Sequence, residues 1–465
     1  MNSSPIVLLA ACVLIRSAVA GGTVKVTARI DATKPGPAIP KAFMGFSHEW
    51  SRLPAPDGGP AAQVHPAYVR LLEQLSAFND GALSIRIGGN SADGMGSVPE
   101  DDRWRQYGEV FKATRTPLII NLNLARKNVA LDRDMIRTAQ RLMPPGSIEV
   151  FELGNEPDGW KGRYRPADYS FESYLGEFGE VAKELVPALT SGLAGPAWAH
   201  AAPPEILQQF LAAHRPMIKM ITVHSYRFDP KSEPKIERLL DDRETAGYAA
   251  KLVPGIEVAH EAGLKIRLTE AGSAWGGGIA GFSDSFAAAL WTLDVFFELA
   301  KVGLDGVNLH GGGMSHYSPI HDQLDTATGK TTITASAPFF GMRVFAEATA
   351  NEARFLPVEL SSGSKVKVWA MLDRKGVTRL VIINKDSGTT GDLTIHLPGA
   401  KAAVKRLSAP SPGATEGMTF AGQTWDHSAD GDPIGAVQEE NIPISGGVLQ
   451  MQIAPTTAAL VTVSP

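Results

Sequence analysis

Two rhythms of apolar and polar positions run along the chain. From residue 42 to about residue 350, short apolar runs alternate with longer segments whose apolar residues recur every three to four positions. The short runs are 42–50, 83–90, 117–124, 148–155, 189–193, 218–226, 265–270 and 306–310, and their length marks buried strands. Between them, Tyr68, Leu71, Leu72 and Leu75 share one face of a helix predicted over 66–78. Similar patterns predict helices over 130–143, 171–186, 283–302 and 337–348. Eight strands alternating with helices predict an α/β fold of the (β/α)8 TIM barrel type, which takes ~250 residues or more. The competing arrangement, an open doubly wound sheet, carries a Gly-rich phosphate turn after its first strand. Here the first strand ends in Gly45-Phe46-Ser47-His48-Glu49-Trp50, which has no such turn.

After residue 350 the period shortens to two. Val366, Val368 and Ala370 alternate with other residues, as do Leu393, Ile395 and Leu397, then Leu449, Met451 and Ile453. This predicts an additional all-β sandwich over 350–465. Val24, Val26, Ala28 and Ile30 alternate in the same way with no helix nearby, so the strand in 21–36 is expected to join that sandwich, leaving 37–349 as the barrel.

Composition narrows the function classes. The 465 residues are 44% hydrophobic and 20% charged, as in an ordinary globular protein rather than a disordered one. The net charge of −5 argues against a nucleic-acid partner. The single cysteine, Cys12, permits no internal disulfide. It lies in a leader-like segment: residues 5–15 are apolar, and Ala18-Val19-Ala20 offers a cleavage site before Gly21. Residues 1–20 therefore predict a signal peptide and a secreted or periplasmic protein, with lipoprotein anchoring at Cys12 as the minor alternative. No later run of ~18 apolar residues predicts a membrane span. The 11 histidines show no metal-binding spacing, so no metal and no cofactor is expected.

In a (β/α)8 barrel, chemistry sits where strands end at the C-terminal face. Those ends carry Ser47, His48 and Glu49; Arg86 and Asn90; Asn121 and Asn123; Asn155 and Glu156; His224 and Tyr226; Glu270; and His310. Polar groups there, left unpaired in a core, would each cost on the order of 1–3 kcal/mol. Glu156 and Glu270 stand out, because they end the fourth and seventh strands and so face each other across the mouth. Pro157 should keep the chain extended at Glu156. Paired carboxylates across a pocket suit glycoside hydrolysis, retaining at about 5 Å and inverting at roughly 6.5–9.5 Å.

These residues resemble those of a known clan, the retaining (β/α)8 glycosidases, and more narrowly glycoside hydrolase family 79, the β-glucuronidases and heparanase-like enzymes. The stretches that carry the likeness are Gly45–Glu49, Arg86–Asp93, Gly154-Asn155-Glu156-Pro157-Asp158, Ser283–Trp291 and Gly306–Gly313. The resemblance implies that Glu156 is the general acid/base and Glu270 the nucleophile. It implies that Asn155 holds the sugar 2-hydroxyl and that Tyr226 donates to Glu270. Arg86 would add positive potential beside the nucleophile, with Asn90 and Ser47 nearby.

The Gly-rich loop after the eighth strand would read a sugar carboxylate through backbone N–H groups, Tyr317 and Ser318, with His316 a departure from the family pattern. The expected substrate is a small-molecule or oligosaccharide β-D-glucuronide, possibly 4-O-methylated. The alternatives are a neutral-sugar glycosidase of the same clan (glucosidase, xylosidase or arabinofuranosidase) and a non-catalytic sugar-binding barrel. Of the tryptophans near strand ends (50, 104, 160, 198 and 275), some are expected to stack on sugar faces and others to pack in the core.

Overall fold

A computed structural model of the chain describes residues 22–50, 53–78, 83–200, 202–361 and 363–464. The leader segment with Cys12 lies outside the described residues. β1 (Thr23–Ile30) precedes a closed parallel barrel of β2 (Met44–Glu49), β3 (Ser84–Gly88), β4 (Leu118–Leu122), β5 (Ile148–Leu153), β6 (Gly192–Trp198), β7 (Ile218–Phe228), β8 (Lys265–Ala274) and β9 (Gly306–Gly311). Helices follow these strands: α1 (Pro66–Ser76), then α2 (Asn90–Gly94) and α3 (Asp101–Thr114), α4 (Val129–Leu142), α5 (Phe171–Leu185), α6 (Pro204–His214), α7 (Ala246–Glu261), α8 (Phe286–Lys301) and α9 (Ala337–Ala348). A hairpin, β10 (Ile320–Asp325) with β11 (Lys330–Ala335), interrupts the last connection.

Seven of the eight expected strands coincide with observed ones. The fifth is displaced: it runs 192–198 rather than 189–193. A 3-10 turn over Val186–Ala188 ends the preceding helix, so Leu189–Ser191 are used in the turn and pairing with β7 begins only at Leu193. The acidic run Glu100-Asp101-Asp102 opens a helix. It is the N-terminal turn of α3, where negative side chains meet the positive end of the helix dipole.

The sandwich has two sheets. One has the order β13–β1–β16–β20, where β13 is Val358–Leu360, β16 is Thr390–His396 and β20 is Val448–Ile453. β1 lies parallel to β16, with Val26 beside Leu393, so the N-terminal strand is part of the C-terminal domain. The second sheet has the order β12–β14–β15–β21–β17–β18, with β19 (Glu440–Pro443) also on β17. Its strands are β12 (Arg354–Phe355), β14 (Val366–Leu372), β15 (Thr378–Asn384), β17 (Lys401–Ser408), β18 (Thr419–Phe420) and β21 (Thr457–Ser464). Alternation in β14 and β15 explains its position. Val366, Val368, Leu380 and Ile382 face the first sheet, whereas Trp369, Met371, Val381 and Ile383 join the barrel's own core. Helix α8 is caught between that sheet and the barrel, which is why it is mostly apolar and buried from Phe286 to Ala300, with only Thr292, Asp294 and Glu298 as polar side chains in that stretch.

Candidate active site

The barrel interior changes character along its axis. Ile119, Val150, Ala194 and Met220 form a small apolar layer. Two residues further along each strand, side chains return to the same face. There the chain places Asn121, Glu152 and Thr222, and beyond Thr222 come His224 and then Tyr226. Arg86 sits among them, completely buried. Its Nε donates to Glu152 Oε2 at 2.7 Å, its Nη1 to Glu270 Oε2 at 2.7 Å and its Nη2 to Asn155 Oδ1 at 2.8 Å. Glu152 is completed by the Thr269 hydroxyl at 2.7 Å. Thr269 and Glu270 are sequence neighbours, yet both reach the interior. A register shift between β7 and β8 pairs Val223 with Leu268 but His224 with Glu270, and the extra residue turns Glu270 toward the mouth.

Glu156 lies three residues beyond β5. It is not extended: its φ is +46° and its ψ +52°. Pro157 disfavours the right-handed helical region for Glu156, and the chain must turn at once into the 3-10 helix Pro157–Gly159. The Glu156 N–H donates to Ala197 O at 2.9 Å and its carbonyl accepts from Gly159 N at 2.9 Å, so both ends of the turn are held. A non-glycine residue in this region carries local strain of order 1–3 kcal/mol, which is typical of functional sites. The turn brings Glu156 Oε1 to 3.0 Å from His224 Nδ1, and one oxygen of Glu156 within 4.8 Å of one of Glu270.

The two carboxylates have different surroundings. Burial pushes the Glu270 carboxyl up. His310, His224 and Arg86, together with the Tyr226 hydroxyl at 2.6 Å, outweigh it and hold Glu270 far below the usual carboxylate range. Burial and the Glu270 charge raise Tyr226 well above an ordinary phenol, so it stays a donor. Burial opposes charge on His224, but Glu270 and Glu156 prevail and its pKa is raised. One polar atom each of Glu156, His224 and Glu270 lies within 4.8 Å of the others, a spacing that also suits a cation. The Arg86 guanidinium, 2.7 Å from Glu270 and 3.4 Å from His224, already supplies positive charge there.

A cavity of about 710 Å³ opens over the pair. Of the sequence-predicted residues, Glu156, Glu270, Tyr226, Tyr317 and Asn90 line it. Others do not. Arg86 and Ser47 are fully buried beneath the floor, where Ser47 Oγ meets His310 Nδ1 at 3.1 Å. Asn155 is also buried, engaged with Arg86 and with the Asp93 side chain. These three position the carboxylates from behind. Ser318 is turned into its own loop, accepting from Gly312 N at 3.0 Å and donating to Ile320 O at 2.5 Å. Gly313 N donates to Asp322, so the expected anion-binding row of N–H groups is already occupied at Gly312 and Gly313. His316 points away to Asp284 Oδ2 at 2.7 Å. Glu49 and His310, and Trp275 among the tryptophans expected to meet sugar, line the cavity as well; His200 is a lining residue that sequence reasoning missed. Glu49 and His310 stand at strand ends, which was the available signal. Trp50, Trp104 and Trp160 are core residues, and Trp198 packs against Phe171 and Tyr174.

The profile of the glycosyl hydrolase family 79 C-terminal beta domain matches residues 368–460. A β-glucuronidase of Aspergillus niger is 23% identical over 90% of this chain and 90% of its own length. A β-glucuronidase of Neurospora crassa is 23% identical over 86% of this chain and 88% of its own. These likenesses support glycoside hydrolase family 79, whose C-terminal domain model is the one matched. Solved structures agree with this chain in fold. A 4-O-α-L-rhamnosyl-β-D-glucuronidase from Fusarium oxysporum superposes with a TM-score of 0.77 at 18% identity, covering 94% of this chain and 100% of its own. A family 51 arabinofuranosidase from Xanthomonas axonopodis pv. citri does so with a TM-score of 0.69 at 13% identity, covering 95% and 100%. Enzymes named for different sugars thus share this architecture, and any distinction between them must come from the site.

Proposed function

We propose that the chain hydrolyses β-D-glucuronides with retention at the anomeric carbon. The observation that carries this reading is the approach of Glu156 and Glu270 to within 4.8 Å, close to the ~5 Å spacing of retaining pairs and too short to seat an inverting water. Glu270, ionised and fixed by Arg86 and Tyr226, attacks the anomeric carbon as Glu156 passes a proton to the departing oxygen. The glycosyl ester on Glu270 is then broken by a water whose proton returns to Glu156. His224 orients Glu156 through its 3.0 Å contact. The two β-glucuronidase relatives support the sugar assignment. Tyr317 and His310, both on the cavity wall, are donors placed to meet a sugar carboxylate.

One observation favours a neutral sugar instead: no Lys or Arg lines the cavity among the described residues, while Glu49, Glu156 and Glu270 do. A panel of chromogenic β-glucuronide, β-glucoside, β-xyloside and α-arabinofuranoside separates the two readings. The glucuronide should dominate, with the β-anomer as first product by proton NMR, and Tyr317→Phe should harm glucuronide turnover more than glucoside turnover. Equal losses, or a preferred neutral glycoside, would overturn the sugar assignment.

A further inference from the structure

Trp275 stands apart from the other tryptophans. It is 44% exposed, whereas Trp50, Trp104, Trp160, Trp291, Trp369 and Trp425 are buried. It also lines the cavity that holds Glu156 and Glu270. Trp275 follows directly on β8, five residues after Glu270. At roughly 3.3 Å per strand residue, its backbone lies up to about 16 Å further toward the open mouth. That is beyond the ring being hydrolysed, where a leaving group emerges. An indole left nearly half exposed at the mouth of a catalytic cavity keeps apolar surface in water that a ligand would cover.

The surroundings of Trp275 indicate the kind of ligand. Gly276, Gly277 and Gly278 follow with φ of +70°, +97° and +82°, so the turn depends on glycine. A Cβ added at Gly276 or Gly277 would meet nothing within 4 Å, so the space beside the indole is open. The turn is fixed in place, because His316 N donates to Gly277 O at 2.7 Å. Beyond the glycines, the outer wall has Ala199, Ser315 and His200. A sugar in an outer subsite is read by side-chain hydrogen bonds to its hydroxyls; Ser315 and His200 offer them beside the indole turn, and Asn90 elsewhere on the cavity lining.

We infer that Trp275 is the platform for the leaving group and that this group is a flat aromatic ring rather than a further sugar. The inference rests on reading Glu156 and Glu270 as the catalytic pair. Stacking against the indole face binds an aryl ring without demanding hydroxyl contacts.

The test compares an aryl and a fluoroalkyl glycoside whose leaving groups have matched acidity, alongside a disaccharide of the same glycone. The glycone is whichever sugar the wild-type protein hydrolyses best, so failure of the glucuronide assignment does not count against Trp275. Trp275→Ala should raise KM for the aryl glycoside roughly 3- to 10-fold with kcat little changed. The fluoroalkyl glycoside should be unaffected, and Trp275→Phe should restore most of the loss. Equal effects on the aryl and fluoroalkyl glycosides would overturn the proposal, as would a larger effect on the disaccharide.

Discussion

Arg86 shows how much of this site is decided beneath its surface. A buried guanidinium with three hydrogen-bonded partners, Glu152, Glu270 and Asn155, helps to hold the charge on Glu270. Glu270→Gln should lower turnover by several orders of magnitude with the fold intact. Glu156→Ala should lose most on poor leaving groups, which need the proton, and least on activated ones; a uniform loss would remove its role as acid. Glu270 also sets a stability trend. Its pKa is depressed in the folded state, so its contribution is present above the ordinary carboxylate range and fades as pH falls toward the folded value. Asp132 does the opposite. Burial pushes its carboxyl up to about 7, and its Oδ2 finds no hydrogen-bond partner among the described residues. A raised carboxyl has its stability in full below the unfolded value near 3.9 and loses it as pH rises through about 7. Asp132→Asn keeps an oxygen for Asn123 N, which lies 2.9 Å away, and removes the ionisation. It should unfold like the parent at pH 4 and gain roughly 2–4 kcal/mol at pH 8 by denaturant titration. An equal shift at both pH values would mean that ionisation is not the cause.

At the scale of elements, the sequence was most legible where period alone decides. Runs such as 118–122 and 306–311 are buried on both faces, and their boundaries follow from composition. Legibility failed where one contact overrides the local pattern. The turn at Glu156 adopts a positive φ because Ala197 O, distant in sequence, accepts its N–H. Glu270 enters the site through a register shift that no count of alternation reveals. The hairpin β10–β11 has mostly polar, exposed positions and therefore no apolar period to detect. The loop that was read as an anion cradle instead spends the N–H groups of Gly312 and Gly313 on its own side chains, a choice made by Ser318 and Asp322. Helices α8 and α9 approach so closely that a Cβ at Gly341 would lie 2.4 Å from Ala289 O. Backbone cannot yield as a flexible side chain can. Gly341→Ala should therefore cost about 1–3 kcal/mol and lower the melting temperature, although alanine favours helix in general. A stabilised variant would show that the helices separate freely.

The molecule as a whole is held by a seam between barrel and sandwich. Phe297 and Phe345 of α8 and α9 share one core with Trp369, Met371, Val381 and Ile383 of the sandwich sheet. Trp369 stacks on Phe297 with ring centroids 5.4 Å apart. Beside this apolar contact lies a buried ion cluster. Asp294 of α8 accepts from Lys367 Nζ at 2.9 Å and from Lys385 Nζ at 2.6 Å, and Glu298 also contacts Lys367. Burial pushes Asp294 up, but the two lysines outweigh it and hold it below the usual range. A core shared in this way should make the two domains unfold together. Asp294→Ala tests the seam at its centre, since it leaves two buried ammonium groups facing each other with only Glu298 and the exposed Asp242 near them. Removing one partner of such a cluster costs about 3–5 kcal/mol. The expected calorimetric result is one transition for both proteins, at a lower temperature in the variant, with catalysis below that temperature retained. Two separate transitions in the parent would mean that the sandwich and the barrel are independent folding units and that the seam only docks them.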